Sequence, residues 1–187
     1  MIKKLMESTG TLSIEENRNP FPGNGNFEVL NGIPHPVPIP DTKHQRIATK
    51  LSAILYENLE QKNQGIVMGT PCNVMLSSWD VVQPDVFFVR KNRQGIVGDQ
   101  IVLGPPDLAV EILSQDTQER DAKEKRRIYA DAGILEYWIV DPEAETIEQQ
   151  VWSELGYISA GIYGKQNIIW SAFFPHLKFR ISKVFTQ

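Results

Sequence analysis

The 187 residues are 41% hydrophobic and 22% charged, enough apolar matter for one compact domain and too little chain for two of ordinary size. A formal net charge of -4 with a pI near 5.4 excludes bulk attraction to phosphate, so any nucleic-acid contact has to come from a local basic patch. The single cysteine, Cys72, excludes an internal disulfide and a cysteine metal cluster and fits a reducing cytoplasm. No apolar run approaches membrane-spanning length, and residues 1–7 lack the apolar core of a signal peptide; a soluble cytoplasmic protein without membrane contact is expected.

Residues 1–26 are polar and rich in turn formers, which predicts an arm, with one domain over 27–187. Residues 27–33 alternate and then meet Asn31-Gly32, a hairpin signal. A long helix is predicted from Asp41 as its cap to about Gln61, because Ile47, Leu51, Ile54 and Leu55 repeat at helical spacing. His44 falls on that face. Lys43, Arg46 and Lys50 line one flank, which is either the solvated side of the helix or a place to meet phosphates. Residues 65–76 read as a strand leading in, followed by a turn at 77–80.

The chain then concentrates acidic residues at the ends of apolar runs. Residues 83–89 are a short run rich in β-branched and aromatic residues, 107–113 a second apolar run, and both are bounded by proline, glycine or polar clusters. Alternation puts Asp85, Phe87 and Val89 on one side of the first strand, and Asp107, Ala109, Glu111 and Leu113 on one side of the second. A carboxylate among apolar neighbours is costly to bury alone, so Glu111 needs a partner, a metal or water. If the strands are neighbours, Asp85 and Glu111 converge, and two carboxylates beside a backbone carbonyl suit Mg²⁺ or Mn²⁺.

A helix follows, with Asp116 as cap and Glu119 completing a capping box. Asp121, Lys125, Ile128 and Ala132 share its inward face with Tyr129 close by, while Arg120, Lys123 and Arg127 point away. Gly133 ends it, and a last core strand runs over 135–140. Beyond Pro142 the pattern is β again, at 146–152, 157–162, 168–170 and 177–181.

Pro84-Asp85, Glu111 to Ser114, Asp121 to Lys125, Tyr129, Gly133 and Glu136 to Pro142 resemble, in order and spacing, the Uma family of proposed restriction endonucleases within the PD-(D/E)XK nuclease superfamily. The resemblance extends from about Phe27 onward. It implies an α/β fold with a restriction endonuclease-like core of helix, three strands, helix and strand, a mixed central sheet and a C-terminal β extension. It also implies a metal-dependent DNA endonuclease, with Asp85 and Glu111 as metal ligands, the Ile112 carbonyl as a further ligand, and Lys125 and Asp121 as catalytic partners. Leu113 stands where the superfamily carries its lysine, and Lys125 on the next helix is the substitute, as in the Uma family itself. Gln115 stands where the family usually has proline.

Glu28 and His44 fall where the family carries a glutamate and tends to carry a histidine. Glu28 either orients water at the metal, or is a solvated strand residue or a helix-cap partner; His44 either supports the acidic site from behind or is a packed, hydrogen-bonded core residue. In the implied chemistry the cation lowers the pKa of water and acts as a Lewis acid, Lys125 orients or deprotonates the attacking water or stabilises developing charge, and Asp121 holds Lys125 or a second ion. Tyr137 and Trp138 read as core or sheet surface rather than as a base-stacking platform, and Ser114 has no histidine and acid set around it. The alternative is a catalytically inactive nuclease-fold module that binds nucleic acid or protein. Two cuts in a duplex suit a homodimer.

Overall fold

The computed structural model describes residues 27–114 and 121–186, with the side chains of 121 and 122 excepted. The predicted arm, and the caps Asp116 and Glu119, lie outside the described residues.

Strands β1 (Phe27–Leu30) and β2 (Ile33–Pro36) form the hairpin expected at Asn31-Gly32. Their φ values of 51° and 79° are the two left-handed positions that a tight two-residue turn requires. Helix α1 (Thr42–Leu55) starts where the sequence indicated: the Asp41 side chain accepts the His44 amide at 2.7 Å, satisfying a donor that the first turn would otherwise orphan. It continues as a π-helical turn, Tyr56–Glu60. Its buried face is Ile47, Ala48, Leu51, Ile54 and Leu55.

The stretch 65–76 differs from the expected single strand. It is divided into β3 (Gly65–Gly69) and β4 (Asn73–Met75), which enter different sheets. Next come β5 (Val81–Val82), β6 (Val86–Arg90), a 3-10 turn (Lys91–Ile96), β7 (Ile101–Leu103) and β8 (Leu108–Ile112). A π-helical turn (Asp121–Lys125) leads into α2 (Arg126–Asp131), which ends before Gly133 at φ 77°. Then follow β9 (Glu136–Asp141), β10 (Thr146–Ser153), β11 (Gly156–Gly164), β12 (Ile168–Trp170), β13 (Lys178–Arg180) and the short α3 (Ser182–Phe185).

The central sheet has the order β11-β10-β9-β8-β6-β3. It is mixed: β8 and β9 run parallel, and the other pairs antiparallel. Helix, β3, β6, β8, helix and β9 give the restriction endonuclease-like core, with β10 to β13 as the C-terminal extension. Because β8 lies between strands and under layers on both faces, all five of its residues are buried.

One face of the sheet, through Val86, Phe88, Leu108, Val110 and Trp138, packs against α1 and the segment holding β12, β13 and α3. The other, through Phe87, Val89, Ala109 and Tyr137, packs against α2 and a second sheet, order β2-β1-β5-β4-β7. Tyr137 and Trp138 are core, as read from the sequence. The described residues contain no helix long and apolar enough to cross a membrane.

Candidate active site

The site forms where β8 runs out beneath α2 and β1. Register pairs Val86 with Val110 and Phe87 with Ala109, so Asp85 and Glu111 lie at the same end of the β6–β8 pair; the Asp85 carboxylate meets His44 of α1, while that of Glu111 meets Lys125 and Tyr129 at α2, on the opposite face. Asp85 sits just before β6. Its Oδ2 accepts the Ile112 amide at 2.8 Å, which fixes the carboxylate on the peptide that follows Glu111. Its Oδ1 lies 3.0 Å from His44 Nε2, reaching the first turn of α1. His44 is thus a mostly buried, hydrogen-bonded residue whose partner is Asp85.

Glu111 belongs to a buried cluster. Its Oε1 takes the Lys125 ammonium at 3.0 Å and the Tyr129 hydroxyl at 2.5 Å. Lys125 also contacts Glu28 Oε1 at 2.8 Å, and the same oxygen accepts the Gln83 amide at 2.7 Å. Glu28 is 2% and Lys125 3% exposed, so Glu28 is neither a solvated strand residue nor a helix cap. The reason is its layer: β1 turns Glu28 and Leu30 inward towards the central sheet. The inward face of the helix is as expected, since Lys125, Ile128 and Tyr129 are buried while Lys123 and Arg127 are exposed. The side chain of Asp121 lies outside the described residues. Contacts to Lys125 come from Glu28 and Glu111.

Tyr129 escaped the sequence reading as a site residue. It stands one helical turn after Lys125, and that i, i+4 spacing on an inward face was the available signal. Burial, and then the Glu111 and Glu28 carboxylates, push its hydroxyl well above the usual phenol range, so it stays protonated and donates. Gln83 also escaped: its side chain donates to Asn73 Oδ1 at 2.9 Å and to the Phe27 carbonyl at 3.3 Å, tying β1 to β4 beside the cluster.

Lys43 pairs with Glu143 at 2.7 Å, and Lys50 donates to the Thr186 carbonyl. Arg46 is exposed.

Two carboxylates and a backbone carbonyl are hard oxygen donors of the kind Mg²⁺ takes, and Mg²⁺ usually keeps several waters rather than needing a full protein cage. Among the described residues, no three or more His, Cys, Asp or Glu side chains are grouped to hold a metal. The Lys125 ammonium lies against Glu28 and Glu111, and the His44 imidazole against Asp85.

The fold is that of a restriction endonuclease-like protein. The sequence matches the Uma2 family, described as "Putative restriction endonuclease", over residues 15–182, and the chain belongs to that family. The match begins upstream of Phe27. A crystal structure of a "putative nuclease belonging to DUF820" from Anabaena variabilis is similar, with a TM-score of 0.73 at 16% sequence identity over 85% of this chain and 89% of that one; at that identity the likeness shows the fold. No curated protein matches the sequence.

Proposed function

We propose that the protein is a metal-dependent endonuclease that hydrolyses phosphodiester bonds of DNA. The observation that supports this most directly is the Asp85 carboxylate held on the Ile112 amide at 2.8 Å, beside a Glu111 that carries Lys125. Asp85, Glu111 and the Ile112 carbonyl would hold Mg²⁺ or Mn²⁺, which when bound lowers the pKa of water and withdraws charge from the phosphate. His44 holds Asp85 in place. Tyr129 fixes Glu111 through Oε1. Lys125, positioned by Glu28, brings a proton-donating cation to the reacting centre, where it orients water and stabilises the charge that gathers on phosphate oxygens. Asp121 is proposed to act beside Lys125. We take residues 27–187 as one domain acting in the cytoplasm as a homodimer, which suits two cuts in a duplex.

The test is plasmid nicking by purified protein with Mg²⁺ or Mn²⁺. Nicking is expected, and Glu111→Ala should abolish it; cleavage that persists in the variant would overturn the assignment. One observation favours a second reading, a non-catalytic binding module: the ammonium of Lys125 already bridges Glu28 and Glu111. Plasmid nicking separates the two, since the module would not cut with Mg²⁺ or Mn²⁺.

A further inference from the structure

The segment that carries β12 and β13 has a charge balance unlike the rest of the chain. No aspartate or glutamate follows Glu154, whereas Lys165, Lys178, Arg180 and Lys183 do, in a protein of net charge -4. Lys165 is paired with Glu145 at 2.5 Å. The other three cations are exposed.

The two strands form an antiparallel ribbon in which Ile168 stands opposite Arg180 and Trp170 opposite Lys178. Period two sends Ile169 and Phe179 into the core and turns those four partners outward together. Trp170 is 57% and Ile168 43% exposed, so neither contributes its full apolar surface to the fold. The Lys178 ammonium lies 4.5 Å from the centroid of the Trp170 ring, and Arg180 is steadied by a 2.9 Å bond to the Gln166 carbonyl. Cations set over and beside exposed apolar side chains, with no acid among them, complement a polyanion that also offers apolar faces.

We propose that the outer face of the β12–β13 ribbon is a contact surface for duplex DNA, with Lys178 and Arg180 on phosphates and Trp170 and Ile168 against the sugars between them. The choice of duplex as occupant rests on the endonuclease reading. Continuity with the candidate site supports it: Lys43, beside His44 on α1, pairs with Glu143; Glu145 of the same turn pairs with Lys165; and Gln166 holds Arg180. The ribbon therefore begins at the end of the molecule where Asp85 and Glu111 lie. Its cations supply the local basic patch that an acidic protein needs to hold DNA at all.

The experiment is fluorescence anisotropy of full-length protein with a labelled duplex in chelator, so that no cleavage intervenes, over a range of salt. Lys178→Glu/Arg180→Glu should weaken binding about tenfold or more, and since each neutralised phosphate contributes about 0.9 to the slope of log K against log salt, that slope should flatten by about 1.8. The milder Lys178→Gln/Arg180→Gln guards against misfolding, and circular dichroism checks each variant. Unchanged affinity and slope in both variants would overturn the proposal. So would wild-type protein that binds phosphatidylserine vesicles and not duplex, which would make the face a membrane contact. Loss of nicking in Glu111→Ala with ribbon binding intact leaves both readings standing. Wild-type protein that binds through the ribbon and never cuts sinks the catalytic reading alone, while nicking with a ribbon irrelevant to binding sinks this one alone.

Discussion

Lys125 is the residue on which the buried charges turn, since its ammonium is the contact common to Glu28 and Glu111. Lys125→Met keeps most of the side chain's volume and removes the cation, leaving two carboxylates in an enclosed place. Breaking a buried pair in this way costs about 3–5 kcal/mol; urea denaturation should show a loss of that order, and a loss under about 1 kcal/mol would mean that the carboxylates reach water. The phenols give a second outcome. Tyr129 and Tyr157 are both raised above the ordinary phenol range, chiefly by burial. In the unfolded chain they lose protons near pH 10 while the folded chain keeps them, so stability is intact below that pH and falls as pH rises beyond it, each group contributing about 1.4 kcal/mol per pH unit. Tyr157→Phe should make the alkaline fall of stability shallower by about that slope. In the sequence Glu111 stands out as a carboxylate among apolar residues, Asp85 as an acid at the head of an apolar run, and Lys125 by its helical spacing to Ile128 and Tyr129. The sequence did not disclose the burial of Glu28, whose alternating strand reads equally well with either face outward; only the second sheet, assembled from β4, β5 and β7, determines which face is covered.

Elements were legible in proportion to how much of their pattern is local. The cap at Asp41, the Asn31-Gly32 hairpin and the strands around 86–90 and 108–112 are each written within a few residues. The division of 65–76 between two sheets is not, because nothing nearby in the chain says that β4 will pair with β5 and β7. The attachment of the C-terminal segment is likewise non-local, and it rests on Glu136. That carboxylate is fully buried and accepts from Trp138 Nε1 and Gln149 Nε2, both at 2.7 Å, and from Ser171 Oγ at 2.6 Å and the Ala172 amide at 3.1 Å. Within a motif of apolar residues it looks like another candidate for chemistry, yet its acceptor sites are spent on joining β9 and β10 to the turn after β12. Hydrogen bonds to a charged group contribute about 1.5–3 kcal/mol each. Since such contributions are not additive, Glu136→Ala should cost at least about 3 kcal/mol, with amide exchange speeding first over 168–181, while Asp85, Glu111 and Lys125 keep their contacts. Exchange that rises uniformly across the sheet would contradict this account. A closer constraint acts on β3, where a Cβ on Gly69 would come 2.4 Å from the Asp85 carbonyl oxygen. Gly69→Ala has to displace the backbone that presents Asp85, and is expected to impair nicking more than it lowers stability.

The whole molecule gathers acidic side chains from two layers, Glu28 from the second sheet and Asp85 and Glu111 from the central one, with Lys125 from the helix between and His44 from the helix on the far face. Each layer supplies a group that the others cannot, so the site exists only when the layers are stacked. A cation held there binds the folded chain and not the unfolded one, and by linkage it stabilises the fold by about 2.7 kcal/mol when free Mn²⁺ is a hundred times its dissociation constant. For a chain of this size that corresponds to a rise in Tm of roughly 5–10 °C. Glu111→Ala should remove the rise while Lys178→Glu/Arg180→Glu should retain it, because the ribbon residues take no part in holding the ion. The opposite dependence is expected for DNA in chelator, which the ribbon variant weakens and Glu111→Ala leaves unchanged or tightens by lifting a negative charge from the site. Scanning calorimetry and anisotropy on these two variants test one division of labour, with cation and chemistry at the end of β8 and the grip on the backbone at β12–β13; a Tm that ignores Mn²⁺ in the wild type would show that the stacked carboxylates are balanced by Lys125 and His44 alone.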